Sequence, residues 1–243
     1  GYIYAIHERK NSLVRPPLAN IDQLVMVVSV AEPAPNLLVM DKLIAVAEHQ
    51  DVEPVLVFTK CDLADPEPYA QIYRKAGFEV YEVCSTEHRG TEAVLKMLEG
   101  RISAFCGNSG AGKSTLLNEI LPELSLSTAE ISKKLGRGRH TTRHVELFPT
   151  SDAPDCGFLA DTPGFSMLDF MRFDFLTLDD LFDAFRDFAP YRGACRYPDC
   201  THTGEGPAEC AIARAVRDGH IAPTRHESYK SLYRTLKIKK NTY

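Results

Sequence analysis

Residues 102–121 read Ile-Ser-Ala-Phe-Cys-Gly-Asn-Ser-Gly-Ala-Gly-Lys-Ser-Thr-Leu-Leu-Asn-Glu-Ile-Leu, and within them Gly107-Asn-Ser-Gly-Ala-Gly-Lys-Ser114 fits G-x-x-x-x-G-K-[ST]. A β-rich run (102–106) enters the turn, and a helical pattern (113–121) leaves it. That strand–turn–helix setting is what the motif needs in order to act. Glycines let the backbone fold so that successive N–H groups, from Gly107 through Asn108, Ser109, Gly110, Ala111 and Gly112, point at phosphate oxygens beside the positive end of the helix. Lys113 then reaches the β- and γ-phosphates, and the Ser114 hydroxyl ligates Mg²⁺, with Thr115 beside it in the first turn. The stretch predicts a P-loop that binds a nucleoside triphosphate.

The rest of the chain supports such a loop with an α/β sheet. Upstream, 24–30 is a continuous apolar run of the kind buried on both faces of a parallel sheet. A helix is expected over 37–48, with Leu37, Leu38, Leu43, Ile44 and Ala47 in its stripe. Further strands are predicted at 54–58 and 79–84, and helices at 67–76 (ended by Gly77) and 91–98. This alternation predicts a mostly parallel sheet with helices on both faces. Downstream, 133–143 is Gly-rich and basic without an apolar period, and 145–148 and 158–160 read as strands. A small Cys-containing module follows, with helices predicted at 178–188, 210–218 and 226–240. The opening residues Tyr2-Ile-Tyr-Ala-Ile6 look like a strand. The expected division is 1–17 as the tail of another domain with its linker, 18–175 as the nucleotide-binding domain, and 176–243 as the Cys module.

Three further motifs fall at strand ends, where ligands gather in open α/β sheets. Thr59-Lys60-Cys61-Asp62 follows the strand 54–58 and fits [NT]-K-x-D. A carboxylate at Asp62 can accept from the N1–H and 2-amino groups of guanine, a pair adenine lacks, while the Lys60 stem packs along the base. Cys84-Ser85-Thr86 ends the next strand and offers a second base contact through the Ser85 backbone or hydroxyl. Asp161-Thr-Pro-Gly164 fits D-x-x-G: Asp161 would hold Mg²⁺ through water and the Gly164 N–H would sense the γ-phosphate, unless Asp161 merely caps a Thr-Pro turn. In the basic loop, His140-Thr-Thr142 offers a further Mg²⁺ ligand, preferably Thr142. His140 is a candidate to position the attacking water, or a solvated loop histidine. Ordinary GTPases carry the phosphate motifs first and the base motifs last. Here the base motifs come first, so the order predicts a circularly permuted GTPase. Phe165 stands where related enzymes place a water-orienting Gln, which predicts slow intrinsic turnover until a partner completes the site.

Cys195-x₄-Cys200-x-His202-x₇-Cys210 supplies three thiolates and an imidazole, the ligand set of tetrahedral Zn²⁺ with no position left for water. One structural zinc per chain is expected. Otherwise these are reduced thiols beside a surface histidine. The last 33 residues carry eight Lys or Arg against Asp218 and Glu227, a net of +6 in a chain of net charge −5. With the basic loop they offer a footprint for a phosphate backbone, or a solvated amphipathic helix. Among 243 residues, 44% are hydrophobic and 25% charged, which excludes disordered and collagen-like classes. No run approaches membrane-spanning length and no leader pattern precedes the fold, so a cytoplasmic protein is expected.

Taken together, residues 15–23 (Arg-Pro-Pro-Leu-Ala-Asn-Ile-Asp-Gln), the 59–62 motif, the P-loop, Gly138-Arg-His-Thr-Thr142, Asp161-Thr-Pro-Gly-Phe165 and the Cys195–Cys210 cluster resemble the RsgA (YjeQ/YloQ) family of ribosome small-subunit-dependent GTPases. The resemblance implies a GTP hydrolase acting late in 30S assembly, stimulated by the subunit and leaving it after hydrolysis. It implies GTP/GDP, Mg²⁺, zinc, the small subunit and its rRNA as ligands and partners of a monomer. It also implies an N-terminal OB-fold, of which residues 1–14 would be the tail. The rival readings are a P-loop ATPase or kinase, for which 59–62 would be accidental, and an RNA-binding scaffold with little turnover.

Overall fold

The computed structural model describes residues 2–5, 8–13, 18–122, 146–153, 156–161 and 176–240. Its centre is a six-stranded sheet built from β3 (Gln23–Ser29), β4 (Glu53–Thr59), β5 (Glu79–Glu82), β6 (Ile102–Gly107), β7 (Glu146–Pro149) and β8 (Phe158–Asp161). A short antiparallel ladder of β1 (Ser12–Leu13) and β2 (Leu18–Ala19) precedes it. The sheet order is β5-β4-β3-β6-β8-β7, with every neighbouring pair parallel except β7 with β8. The order reverses between β3 and β6, so the crevice of the sheet opens where the P-loop leaves β6.

Period-two geometry explains why the strands read as unbroken apolar runs. Leu24, Met26, Val28, Leu56 and Phe58 face α1 (Leu37–His49) and α2 (Glu67–Lys75). Val25, Val27, Val55 and Val57 face α3 (Thr91–Leu98) and α4 (Lys113–Ile120). Both faces are therefore covered. Asn36 caps α1, its side-chain oxygen accepting from the Val39 N–H at 3.2 Å. The expected α1 stripe is corrected in one place: Leu38 is exposed, and Met40 and Asp41 are buried with Leu43, Ile44 and Ala47.

The far side of α1 is covered too. After residue 176 come a run of turns, a 3₁₀ segment (Arg186–Tyr191), α5 (Ala211–Arg217) and α6 (Pro223–Lys240). Ala45 of α1 joins Leu181, Phe185, Phe188, Ile212, Tyr229 and Leu232 in one apolar cluster. The helix expected over 178–188 is not formed as such. Residues 178–184 form turns and the 3₁₀ segment starts only at Arg186; the three-residue spacing of Phe182, Phe185 and Phe188 is compatible with 3₁₀ as well as α geometry, and Pro190 interrupts further helix. Their rings pack on one another and on Tyr229, with centroids 5.0–6.0 Å apart. Nor do Tyr2–Ala5 form a strand; they are exposed and without regular structure, since no partner ladder among the described residues takes up their backbone groups.

Polar side chains lock this module down. Arg225 is 0% exposed and bridges Asp41 at 2.8 Å and Asp187 at 2.7 Å. Its guanidinium lies over the Phe185 ring at 4.6 Å. Nearby, Arg186 pairs with Glu48 and Glu53 and covers Phe78 at 4.4 Å. Among the described residues no helix is long and apolar enough to cross a membrane.

Candidate nucleotide site and metal centre

β6 ends at Gly107, opposite Val27 of β3. A Cβ there would meet the Val27 carbonyl oxygen at 2.7 Å, so the close strand approach that starts the loop requires glycine. Gly112 turns the chain into α4 with φ +86°, a region side chains avoid. The Ala111 N–H closes the loop on the Asn108 carbonyl at 3.1 Å. No side-chain hydrogen bond caps α4 at Gly112, and the positive end of the helix, with Lys113, Ser114 and Thr115 in its first turn, adjoins the loop. Beneath the loop, burial pushes the Cys106 thiol up to about 12, so it stays a neutral packing group despite the charge of Lys113 nearby.

The two base loops are tied to this turn. Thr59, at the end of β4, donates its hydroxyl to the Ala111 carbonyl at 2.6 Å. The first residue of the [NT]-K-x-D motif thus braces the phosphate loop. Lys60 adopts φ +61° and donates to the Glu32 carbonyl in the loop between β3 and α1. Asp62 is exposed and accepts from the Thr86 hydroxyl at 3.2 Å. Ser85 starts a single 3₁₀ turn (Ser85–Glu87), which the Cys84–Arg89 bridge closes. Glu119 of α4 anchors that turn through His88 Nδ1 and the Thr91 hydroxyl, both at 2.9 Å.

β8 carries Asp161 to the same edge, one strand away from the P-loop. His140, Thr142 and Gly164 lie outside the described residues. Of the groups the structure adds, Thr86 stood beside Ser85 in the sequence and could have been found as a second hydroxyl. Glu32 and Glu119 have no motif, and only the fold brings them in.

The four residues Cys195, Cys200, His202 and Cys210 converge, their ligand atoms all within 4.8 Å of one another. His202 Nδ1 stands 3.5 Å from each of the three sulfurs. A tetrahedral ion with Zn–S near 2.3 Å and Zn–N near 2.05 Å has S···N edges of about 3.5 Å. The donor set and its spacing therefore fit a metal ion. Backbone N–H groups of Ala211 and Ala213 donate to Cys195 Sγ (3.2 Å) and Cys210 Sγ (3.4 Å), as sulfurs carrying negative charge would require. Burial, reinforced by the adjoining Cys195 and Cys210, pushes the Cys200 thiol up to about 12. A cation reverses that cost by stabilising the thiolates. Glu205 closes the loop between the ligands: burial would raise its carboxyl, but N–H groups of Glu205, Gly204 and Thr201 hold it near 2. His226 of α6 lies 2.7 Å from the His202 carbonyl and ties the centre to the helix. None of the seven cysteines forms a disulfide; of those outside the cluster, Cys84 and Cys106 are buried and Cys61 and Cys156 half-buried.

A P-loop at the switch point of a parallel sheet, with base loops that precede it in the chain and a D-x-x-G strand beside it, defines a circularly permuted P-loop GTPase. Comparison with known proteins sharpens this. The sequence profile of the RsgA GTPase family matches residues 6–171. "Small ribosomal subunit biogenesis GTPase RsgA" of Bacillus velezensis is 41% identical over 250 residues, spanning 100% of this chain and 81% of its own length. The protein of that name from Streptococcus pyogenes serotype M6 is 42% identical over 244 residues, covering 100% of this chain and 80% of its own. Among solved structures, YjeQ from Thermotoga maritima superposes with a TM-score of 0.74 at 30% identity, over 96% of this chain and 77% of that one. YloQ, described as a circularly permuted GTPase, gives 0.75 at 30% identity, over 97% and 75%. The chain belongs to the RsgA GTPase family.

Proposed function

We propose that this GTPase acts in the late maturation of the small ribosomal subunit, is stimulated by the subunit and leaves it after hydrolysis. The observation that carries the reading is the joining of a braced, permuted nucleotide site to a Cys₃His module bearing a basic terminal helix, in a chain 41% identical along its whole length to a protein named for small-subunit biogenesis. In this reading residues 107–115 cradle the phosphates, and Asp62 with Lys60 and the Ser85 loop recognises guanine. Ser114, Thr142 and Asp161 hold Mg²⁺, Gly164 senses the γ-phosphate and His140 orients water. Magnesium supplies charge neutralisation at the phosphates; the protein's share is positioning. Zinc, one per chain, is structural. Residues 18–175 form the GTPase domain, 176–243 the zinc domain, and 1–17 the end of an RNA-binding OB-fold. Lys230, Arg234, Lys237, Lys239 and Lys240 face rRNA, and the protein works as a cytoplasmic monomer.

The test is the rate of GTP hydrolysis by the full-length protein with and without purified small subunits, ATP serving as the competing nucleotide. Strong stimulation confined to GTP is expected. An unchanged rate would leave a GTPase whose partner lies elsewhere, and a preference for ATP would overturn the guanine assignment.

A further inference from the structure

We infer that Thr86 sets the base selectivity of the site, by fixing the carboxylate of Asp62 in the plane that reads guanine, and that the Cys84 thiol in turn fixes Thr86. The inference rests on the reading of Asp62 as the guanine acceptor. Asp62 is exposed, and an exposed carboxylate samples several rotamers. A two-pronged contact to N1–H and the 2-amino group needs one plane, so selectivity requires a tether. Thr86 Oγ1 lies 3.2 Å from Asp62 Oδ2, and Cys84 Sγ lies 3.1 Å from the same Thr86 oxygen. A carboxylate only accepts, so the single hydroxyl hydrogen goes to Asp62. The hydroxyl lone pair then takes the S–H of Cys84, and the direction of the relay is fixed.

Its far end is rigid. Cys84 is buried, and its N–H donates to the Arg89 carbonyl at 3.0 Å while its own carbonyl accepts from Arg89 at 3.1 Å. The loop is held to the P-loop helix through Glu119. Thr86 is therefore a positioning residue whose anchor is the same scaffold that holds the phosphates, while Ser85, its neighbour in the turn, contributes the direct base contact.

Calorimetric binding of GDP and of inosine diphosphate, which lacks only the 2-amino group, to the zinc-loaded chain with Mg²⁺ tests this. Hydrogen bonds to charged groups set the scale, so the wild type should prefer GDP by about 10- to 100-fold. Thr86→Val keeps the branched shape on an exposed position. It should weaken GDP about three- to tenfold and shrink the GDP-to-IDP ratio at least about threefold, since water partly replaces the lost donor. Thr86→Ser should restore both values, and Cys84→Ala should shift the ratio the same way by less. In turnover, Thr86→Val should raise KM for GTP and leave kcat alone. A ratio that Thr86→Val leaves unchanged, whether or not both affinities drop, would overturn the role of Thr86. A wild-type ratio near one would overturn the guanine reading of Asp62 itself.

Discussion

Replacing Arg225 by methionine removes the buried cation that bridges Asp41 and Asp187 and leaves the volume of the site nearly unchanged. Both partners are packed away from water, Asp41 at 1% side-chain exposure and Asp187 at 5%. Breaking a buried pair from one side costs about 3–5 kcal/mol, because the remaining charge has no counterpart. Asp41 can limit that cost by taking up a proton. Starting from an ordinary carboxyl near 4, protonation costs about 1.4 kcal/mol per pH unit, hence about 5 kcal/mol at pH 8 and about 3 at pH 6. Burial already raises the Asp41 carboxyl in the native protein, with Arg225 pulling it back down. A carboxyl raised by folding gives stability that is present at low pH and lost as pH rises through its folded value. Without Arg225 the folded value climbs further, so the gap between wild type and variant must widen with pH. Urea unfolding by far-UV circular dichroism at pH 6 and pH 8 measures it; the chain has no Trp to report by fluorescence. Running both proteins side by side cancels any contribution of a metal held by the Cys195–Cys210 cluster. A deficit below about 1 kcal/mol, or one equal at the two pH values, would refute the reasoning.

Other outcomes follow from the site. Lys113→Ala should bring GTP hydrolysis to background with the circular dichroism spectrum retained, and residual turnover near wild type would remove Lys113 from the phosphate site. Asp62→Asn exchanges an acceptor for a donor, so binding should move from GTP to xanthosine triphosphate, whose C2 oxygen accepts; competition assays with the two nucleotides read this directly. Cys210→Ser should lower bound zinc from one per chain to a small fraction by elemental analysis. The 176–240 region should then unfold at lower denaturant, because structural zinc contributes folding free energy outright. A zinc content unchanged by that substitution would place the metal elsewhere.

The sheet was legible because its strands are short apolar runs closed by turn residues and its helices lie between them: helix 91–98 appears with the bounds its periodicity predicts. The candidate site was legible to the extent that its residues belong to contiguous motifs. What the motifs hid is how they brace one another, since Thr59 to Ala111 and Thr86 to Asp62 are contacts across the sheet edge that no local spacing encodes. Asp41 was invisible for a related reason. Within its helix it looks like a solvated residue, and only a cation 184 positions later makes its burial tolerable. The helix expected over 178–188 did not form as such, and the three-residue spacing of Phe182, Phe185 and Phe188 suits an α-helical stripe and a 3₁₀ turn alike.

The separation of Asp41 from Arg225 also bears on how the chain is made. At about 5–20 residues per second, a ribosome needs on the order of 10–40 s to add the intervening stretch. For that interval α1 exists as nascent chain with its outer wall, including Ala45, open to water and its acidic group uncompensated. The nucleotide-binding sheet can therefore emerge and pair its strands well before α1 acquires its second layer. Seating of α6 closes that wall, and until Arg225 arrives the nascent protein presents a helix face that sets apolar Ala45 beside an unpaired carboxylate.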